Sequence, residues 1–234
     1  MSQTNNSKKA VGRSMAGRNR KQRSEARTML LIGIPILVIG ALLVLLYNNS
    51  QSSIAIDGGR LVRDDSPIYG VANAPVSLVE FLDPECESCR SVYPAIKELI
   101  NEYDGRVRLV VRYSPRHVNS VLALMALEAA GEQGQYWEMM DLLFARQPEW
   151  GESRTETPEV FAAYAQELGL DMTQFEAAMQ NPGYREKIER DRQDGEALGV
   201  DGTPTFFVNG QRVEPLSYER LGAMIDAELS GLRQ

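Results

Sequence analysis

Cysteine and histidine are scarce in this sequence of 234 residues, which contains only Cys86, Cys89 and His117. Two cysteines close at most one disulfide within the chain, so a small scaffold held together by several disulfides is excluded. A structural zinc site takes four ligands, mostly Cys and His, and these three side chains cannot complete one within a single chain. The sequence therefore predicts no metal site.

Basic residues are scarce beyond the first 28 positions. Residues 1–28 hold eight Lys and Arg against one acid, which leaves 17 bases against 31 acids in the rest of the chain. Domains that bind nucleic acid present a basic surface to the phosphates, so we expect no nucleic-acid partner for the acidic body. The chain is 43% hydrophobic and 24% charged, which excludes disorder of the whole chain.

One uncharged apolar run lies near the amino terminus. Residues 29–46 carry no charge and would span roughly 27 Å as a helix, enough to cross the hydrocarbon core of a bilayer. With Tyr47 as an interfacial residue, we expect a transmembrane anchor over residues 29–47. A cleaved signal peptide is the alternative, but its apolar part is usually shorter, about 7 to 15 residues, and Ser53-Ile54-Ala55 is only a weak cleavage site.

The charges around this run predict its direction. The basic leader of residues 1–28 should stay in the cytoplasm by the positive-inside rule, which places the acidic body in a periplasmic or other extracytoplasmic space of a bacterium. Residues 48–67 are polar and rich in glycine, and we expect them to form a flexible tether.

Hydrophobic patterns predict an α/β fold beyond the tether. Residues 76–82 and 106–113 are β-prone, and apolar residues recur at helical spacing between them. A strand, a helix and a strand in this order imply parallel pairing. Residues 119–199 are helical in pattern throughout, with caps predicted at Thr157 and Asp171. Residues 185–194 are nearly all charged, and we expect a solvated helix face there.

The carboxyl-terminal part returns to the sheet. Residues 203–208 predict a strand, Asn209-Gly210 a hairpin turn, and Ser217 the cap of a last helix. We therefore expect a sheet domain of residues 68–116 and 200–234 that is interrupted by a helical domain of residues 117–199. The aromatic and sulfur-containing side chains of the insertion are expected in its core rather than in a peptide-binding groove: Trp137, Trp150, Met125, Met139 and Met140.

Cys86-Glu87-Ser88-Cys89 lies where the first predicted strand passes into a helix. The exposed N–H groups and the dipole of a helix amino terminus stabilise a thiolate. Two cysteines three residues apart on a first turn can also close a disulfide. Half of an intermolecular zinc site and a purely structural disulfide are the alternatives.

Several motifs together resemble the thioredoxin fold and, within it, the DsbA-like thiol-disulfide oxidoreductases. The resemblance covers residues 68–229. Pro94, five residues after Cys89, matches the proline of the active-site helix, and Glu80 matches the buried acid beneath the cysteine pair. Residues 202–210 (GTPTFFVNG) are similar to the cis-proline strand and hairpin of the family. The 115 residues from Cys89 to Pro204 are too many for thioredoxin itself and suit a helical insertion.

The resemblance implies a role for each of these residues. Cys86 would be the exposed sulfur that exchanges with a substrate, and Cys89 would resolve the mixed disulfide. Glu80 would have a raised pKa and pass a proton to or from Cys89. Thr203 and Pro204 would contact an extended substrate segment. No cofactor is expected beyond the redox-active disulfide of the two cysteines.

The residues around the cysteines predict how the pair is tuned. Strong oxidants of the family carry histidine between the cysteines, whereas this chain has Glu87 and Ser88 there and Glu85 just before. Negative charge disfavours a thiolate, so we expect a Cys86 pKa and a reduction potential between those of thioredoxin and DsbA. His117 follows a loop at a helix boundary, and an exposed or capping role is favoured over that of a proton carrier.

These patterns predict a membrane-tethered, extracytoplasmic thiol-disulfide oxidoreductase that acts on exported proteins. A membrane redox partner is expected, because a tether raises the local concentration at the membrane surface. The alternatives are a dedicated reductase or isomerase of specific exported clients, and a tethered chaperone or binding module without turnover. Isomerases of this fold carry a dimerisation module, for which the roughly twenty residues of the tether leave no room.

Overall fold

The computed structural model describes residues 58–151 and 153–232. The predicted basic leader and the predicted transmembrane anchor lie outside these residues. Among the helices within these ranges, none has the length and the apolar character needed to span a membrane.

A five-stranded sheet with the order β1-β3-β2-β4-β5 forms the centre of the described part. Its strands are β1 (Ile68–Gly70), β2 (Val76–Leu82), β3 (Val107–Tyr113), β4 (Thr205–Val208) and β5 (Gln211–Arg212). β2 and β3 are parallel, as predicted, and the other neighbours are antiparallel. β1 had no clear sequence signal, because a three-residue strand is too short to show alternation.

Helices connect and cover the strands. α2 links β2 to β3, and the helices from α3 to α7 lie between β3 and β4 in the sequence, as the helical pattern predicted. Their bounds are α1 Gly58–Leu61, α2 Glu87–Glu102, α3 Ser120–Glu132, α4 Tyr136–Ala145, α5 Pro158–Glu167, α6 Met172–Met179, α7 Pro182–Ala197 and α8 Tyr218–Gly231, with a short 3-10 helix at Gln147–Glu149.

Two of the three predicted helix caps form. The Asp171 carboxylate accepts from the main-chain N–H groups of Thr173 and Gln174 at the start of α6, and the Ser217 hydroxyl accepts from Arg220 at the start of α8. Thr157 is the N-cap residue of α5 and Pro158 begins the helix, as expected, but the Thr157 side chain makes no capping hydrogen bond. The hydroxyl of Thr157 turns away from the helix and donates to the Asn119 side-chain oxygen at 3.3 Å.

Each face of the sheet covers a hydrophobic core. The larger core joins one face of β2 and β3 to α2, α8 and the helical segment, so the inserted helices share a core with the sheet. Trp150 and the three methionines are buried in it, and Trp137 packs against it, which confirms their interpretation as core residues. The smaller core lies on the other face, where Val79, Phe81 and Phe207 meet Leu61.

The solvated face predicted for residues 185–194 is wrong in part. These residues belong to α7, but Lys187, Asp191 and Asp194 are buried. Arg112 of β3 explains the difference, because its fully buried guanidinium donates to Asp191 at 2.8 Å and to Asp194 at 2.7 Å. Pattern analysis assigns charged residues to solvent and does not detect a buried partner on a distant strand.

The described part of the predicted tether is packed against the sheet domain. Leu61 is buried, and the main-chain carbonyl of Arg60 accepts from the Arg112 guanidinium. Arg63 donates two hydrogen bonds to the Asp194 carboxylate, at 2.6 and 2.8 Å. Flexibility is therefore the wrong description for residues 58–67, because Leu61 and Arg63 find partners far away in the sequence.

Candidate active site

Cys86 lies at the amino end of α2, as the sequence predicted. β2 ends at Leu82, and the short segment that follows leads to Cys86, which is the extended N-cap residue of the helix. The Cys86 N–H donates to the Asp83 carbonyl at 3.1 Å, and the Cys86 carbonyl accepts from Arg90 at 3.1 Å. The half-buried side chain of Cys86 therefore occupies the positive end of the helix.

The environment of Cys86 stabilises its thiolate. A hydrogen bond from Cys89 lowers the pKa of Cys86 most, and although burial opposes the charge, the Thr203 side chain and the amides of Ser88 and Cys89 lower it further, to about 5. No cap bond of normal geometry joins the sulfur to the first turn, so these amides act at longer range. The value lies between about 7 for thioredoxin and about 3.5 for DsbA, as expected.

Cys89 and Glu80 are buried beneath this exposed sulfur. Both cysteines are free thiols, and Cys89 is fully buried. Burial, the hydrogen bond to Cys86 and the charge of Glu80 raise the pKa of Cys89. Burial, together with the charge of Cys86, raises the pKa of Glu80 to about 8. Cys86 is thus prepared as a thiolate, and Cys89 is held as a thiol.

Glu80 is an incompletely paired buried carboxyl group. It is 1% exposed on β2, and its Oε2 atom has no hydrogen-bond partner among the described residues. Its neighbours at two-residue spacing on the same face of β2, Leu78 and Leu82, are both apolar. A carboxyl group in such surroundings is favoured in its protonated form and can exchange a proton near neutral pH.

The Thr203-Pro204 segment completes the site. It precedes β4, which pairs antiparallel with β2 and places Thr205 opposite Phe81. The Thr203-Pro204 peptide bond is cis, the isomer implied by the family resemblance. The Sγ atom of Cys86 lies 3.4 Å from the Thr203 carbonyl oxygen, which accepts from this sulfur when Cys86 is protonated. The fold therefore brings together the predicted residues Cys86, Cys89, Glu80 and Thr203.

The three predicted tuning residues have different surroundings. Glu87 and Ser88 are exposed in the first turn of α2. Glu85 is buried, and its carboxylate accepts from the Asn119 N–H at 2.6 Å and from the Ser120 hydroxyl at 3.4 Å. Burial raises the pKa of Glu85. Glu85 thus links the cysteine-bearing loop to the start of α3.

Asp83, the residue that follows β2, links two loops of the site. Its buried carboxylate accepts from the Glu85 N–H at 2.9 Å and from the Arg116 N–H at 2.8 Å. Its Oδ2 atom also lies 2.7 Å from Nδ1 of His117. The side chain of His117 is 45% exposed, in agreement with the predicted exposed position.

Gln147 is a further residue that sequence patterns did not identify. Gln147 is buried at the start of the 3-10 helix, and its side-chain amide donates to the Pro84 carbonyl at 2.7 Å and to the Cys86 carbonyl at 3.1 Å. Nothing in the sequence marks this glutamine, because its partners are main-chain atoms about sixty residues away. Gln147 therefore connects the helical segment to the active-site loop through two hydrogen bonds.

An apolar cleft opens beside the amino-terminal half of α2. It has a volume of about 240 Å³, and Val92, Ile96, Phe206, Leu216 and Tyr218 are among its lining residues. Leu216 and Tyr218 are each 40% exposed. Among the described residues, no cluster of three or more His, Cys, Asp or Glu side chains could hold a metal ion.

Known proteins resemble the chain over this same region. A sequence model of the thioredoxin family matches residues 63–227. Among curated proteins, the Na⁺/H⁺ antiporter NhaA of Herminiimonas arsenicoxydans is 36% identical over 168 residues, which are 71% of this chain and 26% of the antiporter. The antiporter NhaA 3 of Salinispora tropica is 37% identical over 174 residues, 73% of this chain and again 26% of that protein. The chain thus spans about a quarter of the length of these relatives, and the match covers only their thioredoxin region.

Solved structures match more completely. A thioredoxin-like oxidoreductase from Silicibacter pomeroyi is 28% identical with a TM-score of 0.63, over 74% of this chain and 97% of that one. BdbD from Bacillus subtilis is 24% identical with a TM-score of 0.62, over 70% of this chain and 93% of BdbD. The thiol-disulfide exchange protein alpha-DsbA2 from Wolbachia pipientis is 22% identical with a TM-score of 0.66, over 77% of this chain and 96% of alpha-DsbA2. The last two, below 25% identity, support the fold alone.

Proposed function

The chain belongs to the thioredoxin family and is an oxidoreductase, and from that premise we propose that it exchanges disulfides with exported protein substrates through Cys86 and Cys89. The observation that carries this proposal is the contrast within the pair. Cys86 is half-exposed and its pKa is lowered to about 5, whereas Cys89 is buried and burial raises its pKa. One sulfur is accessible to a partner, and the other is protected inside the protein.

The exchange proceeds through a mixed disulfide. A substrate thiolate attacks Cys86 of the oxidised pair, and the bond between the cysteines breaks as a new bond to Cys86 forms. Cys89 leaves as a thiolate and takes a proton, for which the adjacent carboxyl group of Glu80 is the candidate donor. A second thiolate of the substrate then attacks the substrate sulfur that is bonded to Cys86. The substrate disulfide forms, and Cys86 departs as a thiolate. The substrate is oxidised by two electrons and the protein is reduced by two.

The donor direction is favoured by the environment of Cys86. A stabilised thiolate makes Cys86 a good leaving group and stabilises the reduced protein, which increases oxidising power. The apolar cleft beside α2 supports a polypeptide substrate, since Leu216 and Tyr218 present apolar surface near the site.

Membrane attachment is the second part of the proposal. The uncharged run of residues 29–47 and the basic residues before it support a single anchor with a cytoplasmic amino terminus. The active site would then face the extracytoplasmic space and be reoxidised by a membrane redox partner. Protease added outside intact spheroplasts should digest the body of the native chain; protection of the body would contradict this topology.

The redox activity is tested first by the equilibrium of the full chain with glutathione buffers. We expect a reversible couple with a potential between about −270 mV, as in thioredoxin, and about −120 mV, as in DsbA. The direction of exchange depends on the position within this range: a value near its lower end, at about −250 mV or below, would identify the chain as a thiol donor and contradict the disulfide donor proposed above. The matched control is the Cys86→Ser, Cys89→Ser variant, which should lose all oxidation of a reduced test protein. Full activity of this variant would leave a chaperone or binding module as the function.

A further inference from the structure

His117 and Asp83 form an ion pair at the edge of the active site. Nδ1 of His117 lies 2.7 Å from Oδ2 of Asp83. The Asp83 carboxylate is fully buried, whereas nearly half of the His117 side chain remains accessible to solvent. The imidazole is therefore held in one position by a protein group and can still exchange protons with water.

The main chain connects this ion pair to Cys86. The Asp83 carbonyl accepts from the Cys86 N–H at 3.1 Å, and its Oδ1 atom accepts from the Glu85 N–H at 2.9 Å. On the other side, Oδ2 accepts from the Arg116 N–H at 2.8 Å, which positions His117 as the next residue. Asp83 thus sets both the loop that carries the reactive sulfur and the loop that carries the imidazole.

Three ionisable groups act on the charge of His117, namely Asp83, Glu85 and Cys86. Burial opposes the charge of the imidazole, but the Asp83 hydrogen bond and the negative charges of Asp83, Glu85 and Cys86 outweigh it and raise the pKa of His117. The guanidinium of Arg116 is directed elsewhere and donates to the Val200 carbonyl at 3.0 Å. Since an interaction between two sites acts equally on both, a thiolate that favours the imidazolium is itself favoured by it.

We propose that His117 is a positioning residue that supplies a positive charge to the Cys86 thiolate and takes up a proton when the disulfide is reduced. The proposal rests on the redox function proposed above. It places a cation on Asp83, whose carbonyl is hydrogen-bonded to Cys86, and thus outside the Cys-x-x-Cys segment, where this chain carries Glu87.

The proton balance of the reduction follows from this arrangement. A substrate dithiol gives up two electrons and two protons as it closes its disulfide, and the bond between Cys86 and Cys89 breaks. Cys89 keeps one proton as a thiol and Cys86 stays a thiolate. Where His117 titrates, the second proton is retained by its imidazole instead of being released to solvent. The release of this second proton to solvent would otherwise make donation more favourable as the pH rises, so its uptake by His117 should flatten the pH dependence of donation through this range.

The first test needs no substitution, because His117 is the only histidine of the chain. The full 234-residue protein, made without a histidine tag, labelled with ¹³C at histidine Cε1 and held in detergent, gives a single imidazole signal. Its pH titration is compared in the disulfide and reduced forms. We expect the midpoint to be higher in the reduced form by about 0.3 to 1 pH unit, a two- to tenfold change in proton affinity. Equal midpoints would overturn the proposal.

The second test separates charge from structure. In the His117→Gln variant we expect the glutathione equilibrium at pH 6 to move two- to tenfold toward the disulfide, about 10 to 30 mV. The difference from the native chain should vanish at a second pH, about two units above the midpoint that the imidazole titration gives for the reduced form, because His117 has lost its proton there. A change of equal size at both pH values would show a structural role only and overturn the proposal.

Val118→Gln is the matched control, since Val118 is the next residue, is 50% exposed and carries no charge. It alters the same loop and should behave like the native chain at both pH values. The outcomes also separate the two proposals. A native chain without a reversible disulfide couple overturns the proposed function and this inference together, whereas a reversible couple with an unresponsive His117 overturns the inference alone.

Discussion

Two buried ionisable side chains lie on opposite faces of the central sheet and have opposite surroundings. Glu80 of β2 faces the larger core beneath the cysteines, and one of its oxygens has no partner among the described residues. Arg112 of β3, aligned with Phe81 of β2, is completely buried on the other face. Its guanidinium binds two carboxylates and a main-chain carbonyl, and its Nε atom has no partner within residues 58–151 and 153–232.

The difference separates a reactive buried charge from a structural one. The carboxylates of Asp191 and Asp194 neutralise Arg112, and although burial raises the pKa of Asp194, hydrogen bonds from Arg63 and Arg112 lower it overall. No cation in the described part of the chain pairs with Glu80, and burial, together with the charge of Cys86, raises its pKa to about 8. A paired charge keeps one protonation state, whereas an unpaired one can change its state at the pH where exchange takes place. Burial alone does not distinguish the two sites.

The largest effect should come from breaking the paired site. We expect Arg112→Met to lower the free energy of unfolding by about 3 to 5 kcal/mol, because the buried Asp191 loses its close cation and keeps only the partly exposed Arg190 at 3.9 Å. The measurement is urea unfolding followed by tryptophan fluorescence. The redox potential of the folded variant should stay unchanged, since Arg112 lies on the face opposite the cysteines.

The compensating variant is Arg112→Met with Asp191→Asn, which removes the unpaired charge and should recover part of the lost stability. The opposite result for Arg112→Met would be an unchanged free energy of unfolding together with a shifted redox potential. That result would make the Arg112 site the functional one and contradict the contrast with Glu80.

The next effect comes from the unpaired site and depends on pH. The folded pKa of Glu80, about 8, is raised above the ordinary value of 4.5. The stability contributed by its proton is therefore fully present below pH 4.5 and is lost as the pH rises through 8. Compared with Glu80→Gln, the reduced native chain should lose about 1.4 kcal/mol per pH unit in this window, or about 3 kcal/mol at pH 7.

Unfolding experiments at pH 5, 6, 7 and 8 on both chains measure this difference directly. If the free energy of unfolding varied with pH in the same way for both chains, Glu80 would be ionised or hydrated in the folded state. That result would contradict its role as a proton donor to Cys89.

The smallest effect is expected on the exposed side of α7. Arg192 pairs with Glu189 and Glu196 on the same helix that supplies Asp191 and Asp194, but all three side chains are solvent-accessible. Surface ion pairs contribute little to stability, since both charges are well hydrated without each other. We expect Arg192→Gln to change the free energy of unfolding by no more than the error of the urea measurement. A loss as large as that of Arg112→Met would show that burial is not what makes an ion pair important.

The same contrast explains how far the sequence predicted the structure. Cys86 and Cys89 were found because their spacing and their place before a helix form a local signal, and Glu80 was found through its position in the family motif. The parallel strands followed from apolar runs separated by a helical pattern. These features are encoded within about thirty residues of one another.

Long-range polar contacts were missed. Asp191 was assigned to a solvated face because its partner, Arg112, lies 79 positions earlier in the chain. Gln147 and Asp83 were overlooked as holders of the active-site loop, since their side chains bind main-chain groups, which leave no residue-specific mark. Arg63 was assigned to a tether because its partner on α7 lies 131 positions later.

The short outer strands of the sheet have a consequence for a protein proposed to handle incompletely folded chains. In the described part of the molecule, the two edges are β1, with three residues, and β5, with two. An unfolded client with exposed backbone groups could otherwise extend the sheet by adding a strand, which is a common route to aggregation. Edges this short offer few free N–H and C=O groups in a row. The fold can therefore meet extended polypeptides at its cysteines while giving them little opportunity to polymerise along its sheet.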